Sequence, residues 1–266
     1  MQLFYRTKGD KTHPPLIILH GLWGASDNWL QVAEQLCQQF HVILPDLRNH
    51  GQSPHHEIMD YDSMSQDISI FIKKLHLSQQ PAIVGHSMGG KILMTLLLKE
   101  PTLVKKAAIL DIAPISYPIL PDSFHQTLID FMLNFPLSSY THRESIHQRI
   151  REHFSSETLQ QIVFKNLRKG VEGFEWKINI PSIHKNMDKL LGWPTTLTMQ
   201  EQQTPMLFIR GEKSTYITPS AWEATCRIFP DAQLATIQEA GHFLHAEQPN
   251  ELAQTLMQFF TKPFSL

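Results

Sequence analysis

The chain has 266 residues, with 23 Lys and Arg against 25 Asp and Glu, so its net charge is near −2 at neutral pH. That length buries one large core with room for an inserted subdomain. The even charge balance, without a Lys/Arg run, excludes nucleic acid as an expected partner.

The first fifteen residues lack a basic segment followed by an apolar one. No stretch approaches the run of about eighteen apolar residues that a membrane span requires. The expectation is a cytoplasmic chain with no membrane partner. Cys37 and Cys226 lie in segments of helical period and read as two reduced, packed thiols. The fifteen His do not fall at metal-ligand spacings, so neither a metal nor an organic cofactor is expected.

In chain order, "LIILH" at 16–20 is a continuous apolar run and reads as a buried strand. A helix follows from Asn28 to Gln39, with Trp29, Val32, Ala33, Leu36 and Cys37 on one face. "HVILPDL" is the next strand and "RNHGQSP" a loop. Tyr61 to Leu75 is a helix, with Ser63 as a candidate N-cap. Pro81 to Val84 is a strand, Met88 to Lys99 a helix, and "VKKAAILDIAP" a strand ending near Asp111. After residue 114 the period becomes helical, in "FHQTLIDFMLNF", "RESIHQRIREHF" and "SETLQQIVFKNL", with prolines at 118, 121, 136, 181 and 194. "PMLFIR", a helix "SAWEATCRIF", a strand "AQLATI" and a helix "NELAQTLMQFF" close the chain.

Alternating strands and helices with near-continuous apolar strands imply an α/β fold, a mostly parallel sheet covered on both faces. Residues 1–115 and 201–266 form its core. Residues 116–200 are expected to form an inserted helical cap over the carboxyl ends of the strands, where open α/β sheets place their ligands.

Between strand and helix lies Gly85-His86-Ser87-Met88-Gly89, a G-x-S-x-G. Three fixed positions match by chance in roughly one chain in ten of this length. The placement is what gives the motif weight. A Ser on a strand-to-helix turn is held out with its Oγ exposed, small neighbours relieve the crowding, and the helix aims its first N–H groups at the reacting oxygen. Ser87 is therefore the expected nucleophile.

A serine hydroxyl needs a base, and the base needs an orienting partner. His86 is excluded because a sharp turn points it away from Ser87. His242, in "QEAGHFLHAEQP", is preferred over His245 because Ala240-Gly241 provides a bend that swings it over the sheet. For the acid, the turn after "PMLFIR" holds Ser214 at its fourth position, which carries no charge, and Glu212 two residues earlier. Asp111 closes a buried strand at the same edge and, as a buried charge, needs a partner. Asp111 is preferred, with Glu212 and the lack of a strong acid as open alternatives. For the oxyanion, the expected donors are the Met88 N–H and the Leu22 N–H in His20-Gly21-Leu22-Trp23-Gly24. His20 is expected to brace that loop. Trp23 either walls the acyl pocket or packs beneath the cap. Asp46 and Arg48 are expected to tie their loop to neighbouring turns, with a substrate contact by His50 or Arg48 as the alternative. Lys91 is expected to be solvated or to cap, with a CoA phosphate contact as the weaker option.

The stretches "HGLWGASDNW", "LPDLRNHGQSPH", "VGHSMGGK", "LDIAP", "GEKSTYI" and "AGHFLHAEQP" resemble the α/β-hydrolase superfamily across nearly the whole chain. "RNHG", "GHSMGGK" followed by "DIAP", and a Ser in the turn after the cap are similar to one group within it: the small bacterial YbfF-type esterases, with their mitochondrial relatives of the abhydrolase-11 type. The resemblance implies a carboxylic ester hydrolase acting on short-to-medium acyl esters, with acyl-CoA thioesters as a further class. It implies a Ser, Asp, His triad at Ser87, Asp111 and His242. Two alternatives stand beside it. One is hydrolysis of a carbon–carbon bond, or lyase chemistry on a menaquinone-pathway intermediate. The other is a low-turnover ligand sensor on the same fold. The oligomeric state is not legible.

Overall fold

The computed structural model describes residues 1–118, 120, 123–194 and 204–262. Its frame is a seven-stranded sheet. The strands are β1 (Tyr5–Lys8), β2 (Pro15–Leu19), β3 (His41–Pro45), β4 (Ala82–His86), β5 (Lys106–Leu110), β8 (Met206–Gly211) and β9 (Gln233–Ile237). Their order across the sheet is β1-β3-β2-β4-β5-β8-β9. Only β1 runs antiparallel, pairing Tyr5 with Pro45 and Lys8 with Val42 on β3.

Each central strand is apolar on both faces because both faces are covered. Along β2, Leu16 and Ile18 face one core, and Ile17 and Leu19 the other. The first core is closed by α1 (Leu30–Leu36) and α11 (Pro249–Thr261), through Trp29, Val32, Leu36, Leu252 and Leu256. The second is closed by α2 (Tyr61–Lys74), α3 (Met88–Lys99) and α9 (Pro219–Ile228). The helix expected over 28–39 starts as a 3₁₀ turn at Ser26–Trp29. The N-cap of α2 is Asp60, not Ser63: its carboxylate accepts the Ser63 N–H at 2.8 Å. A carboxylate one residue before the first apolar position satisfies an orphan N–H and complements the helix dipole.

Three features were not anticipated. Strand β1 is polar and mostly exposed, so no apolar run marks it; backbone pairing to β3 holds it. A short helix, α10 (Leu244–Glu247), precedes α11. Within the interruption of the sheet, α4 (Phe124–Asn134), α5 (Arg143–His153) and α6 (Glu157–Asn166) follow the helical periods. They are then joined by a hairpin of β6 (Leu167–Lys169) and β7 (Phe174–Trp176), and by α7 (Ile180–Lys185) and α8 (Met187–Leu191). The expected boundary at 200/201 and Pro121 lie outside the described residues.

Residues 46–61 hold this interruption to the sheet. Asn49 accepts Asn179 N–H through its carbonyl at 2.9 Å. Ser182 Oγ donates to the His56 carbonyl at 2.8 Å, and Asn186 Nδ2 to the Glu57 carbonyl at 2.9 Å. Asp46 accepts N–H groups from Ser26 and Gln52, at 2.7 and 2.8 Å. Arg48 is buried against Asp67 at 2.6 Å and donates to the carbonyls of Ile58 and Ser63. The contacts of Asp46 and Arg48 are thus to their own loop and its neighbours. Cys37 and Cys226 are free and half-buried. Among the described residues, no helix is long and apolar enough to cross a membrane.

The Arg48–Asp67 pair leaves a buried guanidinium when its partner is removed. Asp67→Ala is expected to destabilise the fold by about 3–5 kcal/mol, read from urea unfolding midpoints. A loss under about 1 kcal/mol would mean that water screens the pair.

Candidate active site

Strand β4 ends at His86 and α3 begins at Met88, so Ser87 makes the whole turn, at φ 51 and ψ −116. Two close approaches permit it. A Cβ on Gly85 would run into the Gly89 carbonyl, and one on Gly89 into the Leu19 carbonyl. The Ser87 N–H is tied to the Leu110 carbonyl at 3.0 Å. On the next strand, Asp111 leaves β5 with φ 50, its N–H held by the Ile209 carbonyl at 2.8 Å. The ends of two adjacent parallel strands thus set a hydroxyl and a carboxylate at one edge.

His242, in the loop between β9 and α10, bridges them. Its Nδ1 lies 2.8 Å from Asp111 Oδ2 and its Nε2 3.1 Å from Ser87 Oγ. A carboxylate only accepts, so Nδ1 carries the proton and Nε2 is free to accept from the hydroxyl. Asp111 is fully buried; its Oδ1 accepts the Gly211 N–H at 3.1 Å, and its Oδ2 also accepts from Ser214 Oγ. The Tyr216 ring stacks on His242 at 4.0 Å. The carboxylate is therefore fully engaged and the imidazole is fixed in plane.

The other candidates lie elsewhere. His86 Nε2 donates to the His242 carbonyl at 2.8 Å and braces that loop from below. His245 stacks on Trp29 at 4.5 Å, and burial pushes its pKa down to about 3. Glu212 is exposed and accepts the Glu239 N–H at 2.9 Å. His20 spans the Gly21 carbonyl at 2.8 Å and the Leu47 N–H at 2.9 Å, which braces the 20–24 loop. His50 is buried and bonds the Arg48 carbonyl, so no substrate contact is available to it there.

Met88 follows Ser87 in the first turn of α3, and Leu22 follows Gly21, where an added Cβ would fall 3.3 Å from Ser87 Cβ. Neither N–H has a hydrogen-bond partner among the described residues. Trp23, at φ 71, is buried, and its indole Nε1 donates to His125 Nδ1 of α4 at 2.9 Å. Its carbonyl accepts from Asn166 Nδ2 at 2.9 Å. A cavity of about 310 Å³ lies behind this loop, walled by Leu22, Trp23, Trp29, His86, His245 and Ile162. Ser87 and His242 do not line it. His125 carried no local sequence signal, because its partner Trp23 is about a hundred residues away in the chain, and nothing in the sequence around Tyr216 marked a ring that stacks on His242. Among the described residues no cluster of His, Cys, Asp or Glu is arranged to hold a metal.

Lys91 follows the capping alternative rather than the solvated one. It is buried at 1% exposure, neither solvated nor free for a phosphate. Its Nζ donates to the carbonyls of Leu191 and Gly192, at 2.9 and 2.7 Å, and sits over the rings of Tyr61 and Tyr117. Carbonyls at the end of α8 and aromatic faces replace water around the ammonium.

Residues 14–249 match the family described as alpha/beta hydrolase fold, and the chain belongs to it. It is 33% identical over 95% of its length to the sn-1-specific diacylglycerol lipase ABHD11 of Danio rerio, 79% of which is covered. It is 29% identical to Esterase YbfF of Escherichia coli, over 92% of each chain. A solved structure titled marine microorganism esterase superposes with a TM-score of 0.92 at 40% identity, covering 97% of this chain and 99% of that one.

Burial lowers the Lys91 ammonium to about 7 from its usual 10.5. Between these values the unfolded chain binds more protons than the folded one, so stability rises with pH across that window. Lys91 therefore weighs against the fold most below about pH 7, and less as pH rises. The stability of wild type minus that of Lys91→Met is expected to increase from pH 7 to pH 10, read by urea unfolding. A constant difference would mean that the ammonium stays charged in the fold.

Proposed function

We propose that the chain is a serine carboxylic ester hydrolase that cleaves short-to-medium acyl esters, and acyl-CoA thioesters as a second class, through an acyl-enzyme. The observation that carries this reading is the continuous chain from Ser87 Oγ through His242 to Asp111, at 3.1 and 2.8 Å. The relatives named as esterases and lipases support the substrate class.

In this mechanism Ser87 Oγ attacks the acyl carbonyl and His242 Nε2 takes its proton. Asp111 holds the imidazole in its tautomer and stabilises the imidazolium that forms. The N–H groups of Leu22 and Met88 receive the oxyanion in a site preorganised for negative charge. His242 then protonates the departing alkoxide or thiolate. Water, deprotonated by the same imidazole, releases the acyl group. Ser214 is a positioning residue here, since it holds Asp111 rather than the substrate.

Residues 116–200 are read as the cap that shapes the acyl site, with 1–115 and 201–266 as the core. Trp23 is read as a wall of that site, through its pairing with α4.

On p-nitrophenyl esters of increasing chain length and on acyl-CoA thioesters, turnover is expected to have an optimum at short-to-medium chains and to vanish in Ser87→Ala. Absence of serine-dependent turnover on all of them would move the reading to a carbon–carbon substrate or a sensor. Asp111→Asn is expected to lower kcat by roughly 10³–10⁴. Near-wild-type kcat in that variant would remove Asp111 as the acid.

A further inference from the structure

His125 projects from the first turn of α4, between the two segments that flank Ser87. On one side its Nδ1 accepts the Trp23 indole N–H at 2.9 Å, next to Leu22. On the other side lies Phe243: the Phe124 ring packs on His125 at 3.9 Å and meets Phe243 edge-on at 6.4 Å, one residue after His242. An indole N–H can only donate, so the Trp23 contact fixes the tautomer: Nδ1 is bare and Nε2 carries the proton.

The ring also stays neutral. Burial, and secondarily the charge of His242 nearby, pushes its pKa down to about 3. This suits a site in which His242 becomes an imidazolium during turnover, because a second cation beside it would oppose that step. The Nε2–H has no acceptor among the described residues, and it is not one of the ring nitrogens sealed inside the protein. An oriented N–H that is open and unpartnered, on a ring held between Trp23 and the Phe124–Phe243 pair next to His242, suits a ligand oxygen.

We propose that His125 is a specificity-determining residue: its Nε2–H binds an acceptor oxygen of the substrate that lies outside the scissile ester. The favoured substrates are then esters carrying a second ester carbonyl or a hydroxyl, over plain alkyl esters of the same length. This rests on the ester-hydrolase reading above and adds a residue and a substrate feature to it. Trp23 acquires a role as well: it positions His125 by locking its tautomer. The bond is the same in ground and transition state, so its loss acts on KM rather than on kcat.

The test measures binding without turnover. In a Ser87→Ala background, the dissociation constants of ethylene glycol dibutyrate and of heptyl butyrate, matched in length, are measured by titration calorimetry. Adding His125→Phe is expected to shift their ratio about five- to tenfold against the diester, the worth of one hydrogen bond. His125→Gln is expected to restore the ratio, because its Oε1 can accept from Trp23 while its amide donates. With Ser87 intact, His125→Phe should raise KM for the diester and leave the two kcat values in their wild-type proportion. An unchanged ratio, an equal loss for both esters, no rescue by Gln, or no binding of either ester overturns the proposal. Failure of the hydrolase reading shows separately, as wild-type protein that cleaves neither ester.

Discussion

The turn at Ser87 is the constraint on which the rest of the site depends. A non-glycine residue at φ 51 and ψ −116 is unfavourable by roughly 1–3 kcal/mol and persists only where its surroundings over-determine it. Here the surroundings are two backbone segments that come into contact because Gly85 and Gly89 have no side chain. Asp111 repeats the device one strand away, at φ 50. Both residues leave parallel neighbours at the carboxyl edge. Each N–H is captured by the carbonyl of the following strand in the sheet, Leu110 for Ser87 and Ile209 for Asp111. The strain is thus anchored in the hydrogen-bonded sheet, and a single loop residue, His242, meets both partners at hydrogen-bond distance.

Around this edge the chain gathers histidines and keeps them uncharged. His20, His50, His86, His125 and His245 all have their pKa lowered, in each case chiefly by burial. Their rings serve as neutral struts: His20 for the 20–24 loop, His86 for the loop bearing His242, His125 for Trp23. A field of neutral rings leaves Asp111 as the charge in direct contact with His242. The same logic of dry polar packing extends to the interruption of the sheet. Beside an ion pair of Lys177 with Asp27 at 3.6 Å, Asn49, Ser182, Asn186 and Lys91 tie it to the core through backbone carbonyls. Such contacts are weakly screened by salt and cooperative with the fold beneath.

Much of this was legible because the signals are local. Apolar runs marked the six parallel strands, helical period marked α2, α3, α9 and α11, and a G-x-S-x-G between strand and helix marked Ser87. What escaped was what lacks a local pattern. β1 is polar and exists by pairing with β3; β6 and β7 are three residues each; α7 is shorter than two turns. Lys91 has the sequence context of a solvated lysine, and only the folding of α8 over it makes it a buried cation.

By itself the sequence determined the layered α/β frame and the position of the strained serine, since both follow from side-chain periodicity and glycine spacing within short windows. It also narrowed the expected base to two histidines, and the expected acid to Asp111, Glu212 or no strong acid. The tertiary structure decided which of these meet. His242 rather than His245 reaches Ser87, and Asp111 rather than Glu212 reaches His242, with Ser214 completing the carboxylate's shell. That decision lies beyond any window, because it depends on how a loop more than a hundred residues further along the chain returns to the edge that carries Ser87 and Asp111. Direct contact of a few ångströms, not sequence spacing, sets a hydrogen bond.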